Sequence, residues 1–356
     1  MNSLSNIPNN FDIYGSVDSI VYQQAKILSD FLDNEDNSDN KSNLNPMDPF
    51  EFSEFKTKLK QQGRMTNDSQ SLIVIMNDNE ILDFNDFLKW MTKNTNFKDN
   101  FPEEYELKKL AIKEQDKFLV ELQKKHPLLF LNITIEDRPV GQFIIKLFQN
   151  KCPKTCKWFY NFFKKNSEYS YNGVLFERLV HNGWIQTGEF QQDGVRIIDS
   201  IPIENFVIPH SSRGIVSLCN LGPPNPTENS SPFMIQFKEN PFYDKKYVAF
   251  GKLVFGDNLL DQIEKIPTYY ERPINEVRIS NAGIWQSEDE NVIVPEYKEF
   301  EDEVKPEILR NWFIKTNQEM HYTEGYEVKL QEREQHLESI QQENEEADSL
   351  IIEYLK

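Results

Sequence analysis

The sequence predicts a multi-domain α+β protein: a small α/β domain, a helical connector, an antiparallel β-barrel with two capping helices, and an acidic helical tail. Three observations predict it. Helix-spaced and strand-like runs alternate up to residue 97. At Leu128 the pattern changes to short alternating strands separated by Gly, Pro and Asn turns. Charge then concentrates at the C-terminal end: in 286–356 seven Lys/Arg stand against twenty Asp/Glu, or −13 of the net −19.

Residues 1–10 are polar and read as disordered. Within 11–97, Phe11-Asp-Ile-Tyr14 is a short strand closed by a Gly15-Ser16 turn. Residues 19–32 have helical spacing, with Ile20, Ala25, Ile27, Leu28, Phe31 and Leu32 on one face. The Asn/Asp/Ser-rich stretch 33–45 reads as a loop. A second helix is expected over 49–62, with Phe52, Phe55 and Leu59 on one side. Ser71-Leu-Ile-Val-Ile-Met76 is apolar and branched, hence a strand, and 77–79 turns it into a return strand at 81–84. Asn85 is placed to cap a helix running to Met91. This element order is similar to that of thioredoxin-like domains. The place of a redox Cys-x-x-Cys, however, reads Gly15-Ser-Val-Asp-Ser19, so the resemblance implies a docking or spacer domain without redox chemistry. Residues 98–127 form a charged helical connector that stops at His126-Pro127, because the residue before proline disfavours helix.

Composition excludes several classes. A net charge of −19 argues against nucleic acid and against anionic membranes, both of which call for basic surface. The 38% hydrophobic fraction implies that much of the chain is solvated. Cys152, Cys156 and Cys219 are too few for a disulfide scaffold and fit a reducing, cytoplasmic setting. Cys152 and Cys156, four apart on one helix, read as small apolar core residues. The five histidines (126, 181, 210, 321, 336) lack metal-ligand spacing, and no metal or other cofactor is expected. No apolar run approaches the 18 or so residues of a membrane span, and the start 1–10 lacks the features of a secretion signal.

From 128 to 285 the strand pattern becomes specific. LLFLNITI alternates, Asp137-Arg-Pro turns, and 140–148 returns. Pro153-Lys-Thr opens a helix with proline in its first turn, and 257–266 forms a second. Five motifs follow in order: Lys151-Cys-Pro-Lys-Thr-Cys-Lys-Trp-Phe159, FERLVHNGWIQTGEF at 176–190, Gly214-Ile-Val-Ser-Leu-Cys-Asn220, Ser231-Pro-Phe-Met-Ile235 and Tyr247-Val-Ala-Phe-Gly-Lys252. In order and spacing this region resembles the cyclophilins, which bind X-Pro peptides and speed their cis/trans isomerisation. The resemblance implies an eight-stranded antiparallel barrel with two capping helices. A narrower one rests on Asn182-Gly-Trp-Ile-Gln186, Cys-Pro-Lys-Thr-Cys and Pro267-x-x-x-Glu-Arg-Pro-Ile274. It is to the cilium-associated sixth member of the isomerase-like series, a group that includes the cyclophilin of axonemal radial spokes.

The chemistry asks for little. Amide resonance sets a barrier of about 18–20 kcal/mol, and no bond is broken. A catalyst needs an apolar slot for the proline ring and a cationic donor to the prolyl nitrogen, which gains a lone pair in the twisted state. The resemblance places that donor at Arg178 and its partner at Gln186. The family's Phe-Met pair is Gly183-Trp184 here, and its second Gln is Pro232. Its pocket Phe is Met234, preceded by Phe233. Its Trp-Leu pair is Phe242-Tyr243, its His is Tyr247, and its Ala-Asn is Cys219-Asn220. Trp184, Cys219, Asn220, Phe233, Met234, Phe242, Tyr243 and Tyr247 are therefore the expected substrate-binding set, with catalysis weak or absent. Two loops depart from the family: 190–206 is shorter, and 221–230 (LGPPNPTENS) is longer, with three prolines placed to fill the groove like a tethered ligand.

In the tail 286–356, helices are expected over 299–317 and 327–355. Leu330, Leu337, Ile340, Ala347, Ile351 and Tyr354 form an imperfect a/d seam suited to docking on a partner. The resemblance implies axonemal or radial-spoke partners, reached through the N-terminal domain and the tail, and a place in the cilium. A cytosolic isomerase that assists folding is the rival expectation.

Overall fold

The structure is a computed structural model that describes residues 9–34, 40–66, 69–192, 195–197, 199–220 and 228–287. The tail helices and their seam lie outside these residues, as do most of 1–10 and the proline-rich 221–227.

The chain opens with β1 (Asn10–Ser16), α1 (Ile20–Asp33), β2 (Lys41–Met47), α2 (Pro49–Gln61), β3 (Leu72–Met76), β4 (Glu80–Leu82) and α3 (Phe84–Asn94). Its sheet has the order β2-β1-β3-β4, with β2 parallel to β1 and the other pairs antiparallel. The expected loop over 33–45 is corrected here, since Lys41–Met47 is a strand. It is an edge strand of mostly polar residues, paired on one side only, so neither alternation nor apolarity marks it. Pro46 is tolerated for the same reason. Alternation does mark β1, whose Phe11 and Ile13 are fully buried. Asn77 and Asp78, both at positive φ, make the tight turn into β4. The cap of α3 is Asp83, not Asn85: its carboxylate accepts from the Asp86 N–H at 2.9 Å.

The connector is α4 (Glu104–Gln123), which lies on α1 through Lys26 and Glu114 at 2.8 Å. Then come β5 (Leu128–Ile135), β6 (Arg138–Leu147), α5 (Pro153–Asn161), β7 (Phe176–Val180), β8 (Trp184–Thr187), β9 (Phe190–Gln192) and β10 (Val195–Ile197). They are followed by β11 (Ser200–Pro202), β12 (Ile215–Asn220), β13 (Glu228–Gln236), a 3₁₀ turn (Pro241–Tyr243), β14 (Ala249–Phe255), α6 (Asp257–Glu264), β15 (Thr268–Tyr269), β16 (Arg272–Pro273) and β17 (Val277–Ile284). The β5–β6 turn is Glu136-Asp137 at positive φ, so Arg138 and Pro139 already belong to β6. Eight antiparallel strands run in the order β17-β5-β6-β14-β12-β13-β8-β7, and a single bridge between Leu175 and Arg278 brings the last back to the first. The result is a nearly closed barrel, with α5 and α6 burying Cys156, Phe159, Leu260 and Ile263 against it.

The two sheets share side chains. Phe50, at the start of α2, is 2% exposed and belongs to the barrel's own apolar cluster. In return Leu128, Ile144, Val254, Phe255 and Trp285 of the barrel region pack with Phe11, Leu28 and Phe87. Lys146 pairs with Glu51 at 3.5 Å, Lys252 pairs with Glu54, and the Gln123 amide donates to the Trp285 carbonyl at 2.7 Å. Among the described residues no helix is long and apolar enough to cross a membrane.

Candidate functional site: an arginine face walled by aromatic rings

β7 and β8 form a hairpin around His181-Asn182-Gly183, with Asn182 in the left-handed region at φ 60°. Their register sets Arg178 opposite Gln186, and the next pairings set Gln186 opposite Met234 on β13 and Met234 opposite Ser217 on β12. Directly opposed strand residues share a face. Arg178, Gln186 and Met234 therefore form one row across three strands. A β-bulge between Phe176 and Arg178 breaks the alternation there, the kind of irregularity that re-aims a side chain.

Aromatic rings wall this row. Trp184, two residues before Gln186, points the same way, and its ring centroid lies 5.9 Å from the Arg178 guanidinium carbon. Tyr243 meets Trp184 edge-on at 5.2 Å and Tyr247 at 4.9 Å. Asn220 joins through its amide, which donates to the Lys246 carbonyl at 2.9 Å. Cys219 is buried, and burial pushes its thiol up to about 12 against the opposing charge of Arg178, so it stays protonated. Burial likewise raises the Tyr243 and Tyr247 phenols, which stay neutral donors. Two expected residues are not brought in. Phe233 is fully buried on the opposite face, edge-on to Phe159 at 5.4 Å and Tyr171 at 5.1 Å in the barrel core. Phe242 is 80% exposed at the rim.

The guanidinium itself is engaged. Arg178 Nε and Nη2 both donate to Oε2 of Glu271, at 3.0 and 2.6 Å, and both side chains are 48% exposed. Glu271 sits in the turn between β15 and β16. Its motif stands out in the sequence, but nothing local assigns it to an arginine 93 residues away.

A second cluster escaped sequence reasoning. His210 is fully buried; its Nδ1 lies 3.1 Å from Asp244 Oδ1 and its Nε2 2.9 Å from Ser217 Oγ. This has the connectivity of a hydrolytic triad, but Ser217 is also fully buried and cannot reach a substrate. Its role is structural. It ties the Pro241–Tyr243 turn down, with the His210 ring edge-on to Tyr243 at 5.8 Å, and so supports the aromatic wall. Burial lowers the His210 pKa, with Asp244 opposing. Among the described residues no group of three or more His, Cys, Asp or Glu is arranged for a metal ion. Cys152 and Cys156 are buried free thiols, pushed up by burial.

The sequence model described as cyclophilin type peptidyl-prolyl cis-trans isomerase/CLD matches residues 130–284, the barrel just described. The relatives agree with it. A cattle protein (Bos taurus) named "Probable inactive peptidyl-prolyl cis-trans isomerase-like 6" is 35% identical over 243 residues, covering 65% of this chain and 76% of that protein. The chain belongs to the cyclophilin family. The human protein of the same name is 37% identical over 171 residues, 45% of this chain and about half (54%) of the human one. The chicken (Gallus gallus) "Peptidyl-prolyl cis-trans isomerase-like 3" is 36% identical over 154 residues, 41% of this chain and 91% of its own length. For this cyclophilin, then, the cattle match runs well beyond the barrel, whereas the chicken match has about the barrel's length.

Proposed function

We propose that this cyclophilin grips proline-containing segments on its Arg178 face and turns them over slowly or not at all. On this reading it serves mainly as a structural subunit of the ciliary axoneme, in the radial spokes. The observation that carries the proline-binding part is the Arg178–Gln186–Met234 row beside Trp184, Tyr243 and Tyr247. A twisted X-Pro amide exposes a nitrogen lone pair, and a guanidinium beside it stabilises that state over the planar ones. Arg178 and Gln186 are assigned the catalytic positions, with Trp184, Cys219, Asn220, Met234, Tyr243 and Tyr247 as the recognition surface. The rebuilt walls support slow turnover, since misplacement by about 1 Å costs on the order of 10²-fold.

The subunit role draws its support from the ciliary resemblance of the 182–186 and 267–274 motifs. The length of the cattle match adds to it, since what is shared extends past the catalytic barrel. The domain plan is read as 1–10, 11–97, 98–127, 128–285 and 286–356. The β2-β1-β3-β4 sheet with parallel β1 and β2 suits a thioredoxin-like unit, and Ser16 and Ser19 stand where redox cysteines would. That unit and the acidic 286–356 are the proposed docking elements for axonemal partners, which puts the chain in the cytoplasm at the cilium.

The test is two-dimensional exchange NMR on a short alanyl-prolyl peptide, with wild-type chain and Arg178→Ala. The expected result is peptide binding with little acceleration over spontaneous exchange, which takes tens to hundreds of seconds. Fast exchange abolished by Arg178→Ala would favour the rival, an active cytosolic folding isomerase. Absence of binding would remove the proline-binding reading. For the subunit role, a tagged chain lacking 286–356 should fail to enter axonemes, and unchanged incorporation would refute docking through the tail.

A further inference from the structure

The Glu271 contact has no part in the chemistry that an X-Pro isomerase requires, yet it occupies the group that chemistry uses. The geometry points to Glu271 as a positioning residue that holds Arg178 in check, so that removing its charge raises the isomerase activity of this chain. The inference rests on the proline-binding reading of the Arg178 face and concerns how that face is controlled.

Three observations carry it. First, both Nε and Nη2 are committed to a single carboxylate oxygen, at 3.0 and 2.6 Å. Two of the guanidinium's five N–H donors are thereby held, and the edge they form has to break or stretch a charge-assisted bond before it can serve a prolyl nitrogen. Second, Glu271 is fixed from its own backbone. Its carbonyl accepts from the Leu179 N–H at 2.6 Å, one residue along from Arg178. Tyr270 and Glu271 both sit at positive φ in the two-residue turn of the β15–β16 hairpin. The carboxylate is therefore presented to the arginine by a pinned turn and does not arrive on a wandering side chain. Third, the pair is half-exposed, 48% on each side, so it is neither a buried core ion pair nor needed to neutralise a desolvated charge. Its effect on the barrel's stability is correspondingly small. Its effect on Arg178 is direct, because a carboxylate beside the guanidinium also reduces the positive potential available to the developing lone pair.

The pairing adds its own restraint on turnover in a chain that keeps the arginine, and that restraint is separable from the altered walls. Exposed ion pairs weaken as salt is added, since the screening length falls to about 8 Å at physiological ionic strength and about 3 Å at 1 M. The exchange rate of the wild-type chain should therefore rise with added salt, and the rate of Glu271→Gln should not.

The experiment compares full-length wild type, Glu271→Gln, Arg178→Ala and the double variant on the same alanyl-prolyl peptide. Exchange is read by NMR, binding by Trp184 fluorescence, and folding by the thermal midpoint. Glu271→Gln keeps the turn and the carbonyl contact to Leu179. The expected result is unchanged binding and midpoint, with kcat raised by up to about fivefold, the factor corresponding to the upper end for an exposed pair. The gain should disappear in the Arg178→Ala background. A Glu271→Gln rate equal to or below that of wild type, with binding intact, overturns the assignment, as does a gain that persists without Arg178. Loss of binding in every form, wild type included, overturns instead the proline-binding reading on which it rests.

Discussion

Replacing Phe50 by alanine tests how the N-terminal sheet and the barrel are joined. Phe50 comes from α2, outside the barrel, yet its ring lies in the barrel core with 2% of its surface exposed. Gly214 shows how tight the fit is. It has φ +79°, and a Cβ built there would stand 2.8 Å from one Phe50 ring carbon and 3.0 Å from another. Truncating a buried Phe to Ala costs about 3–5 kcal/mol, the transfer term plus the cavity left where neighbours relax only in part. For a unit of this size that corresponds to roughly 10 °C in the midpoint, at about 2–4 °C per kcal/mol. The assay is urea unfolding followed at two places, with Trp90 reporting the N-terminal sheet and Trp184 the barrel. In wild type the two transitions should coincide, because each side supplies part of the other's core. In Phe50→Ala the barrel probe should lose stability although the substituted residue lies outside it. A loss under about 1 kcal/mol at Trp184, or two separated transitions in wild type, would refute a shared core.

Two further outcomes follow from buried titratable groups. Burial holds the His210 pKa below its ordinary value, so between the folded and unfolded values the unfolded chain binds more protons. Its contribution is complete above about pH 6.5 and is lost as pH falls below that. Asp48, pushed up to about 8 by burial and by Glu51, acts in the opposite sense, its contribution falling as pH rises towards 8. The measurement is therefore a difference: the urea midpoint of wild type minus that of His210→Gln should fall between about pH 7.5 and 5, and parallel curves would contradict this. Cys152 and Cys156 are fully buried with raised pKa values, so a thiol reagent should label them in the native chain only at the rate at which it opens. Rapid labelling of either in native buffer would count against these environments.

Much of the site was written in short-range terms. Arg178 and Gln186 flank an Asn182-Gly183 turn, so a hairpin sets them opposite each other whatever the rest of the chain does. Trp184 follows by the two-residue period. Pro153 at a helix start and Leu-Leu-Phe-Leu-Asn-Ile-Thr-Ile at a strand were equally legible, because each element's burial pattern repeats along its own residues. β2 was not, since its stability comes from hydrogen bonds to β1 and not from its side chains. A motif draws both Phe233 and Met234 into the pocket, and only the pairing of Met234 with Gln186 shows which of the two shares the Arg178 face.

By itself, then, the sequence determined the barrel, its family, the arginine on its outer face, and the absence of a redox cysteine pair, all through patterns that recur within a few residues. The tertiary structure decided what such patterns cannot encode. It seated Phe50 in a core built by another sheet, tied His210 to Ser217 and Asp244, and set Glu271 against Arg178. Each of these joins residues whose neighbours along the chain say nothing of the partner. They meet only when strands close into a barrel, and closure is a property of the whole sheet and not of any segment in it.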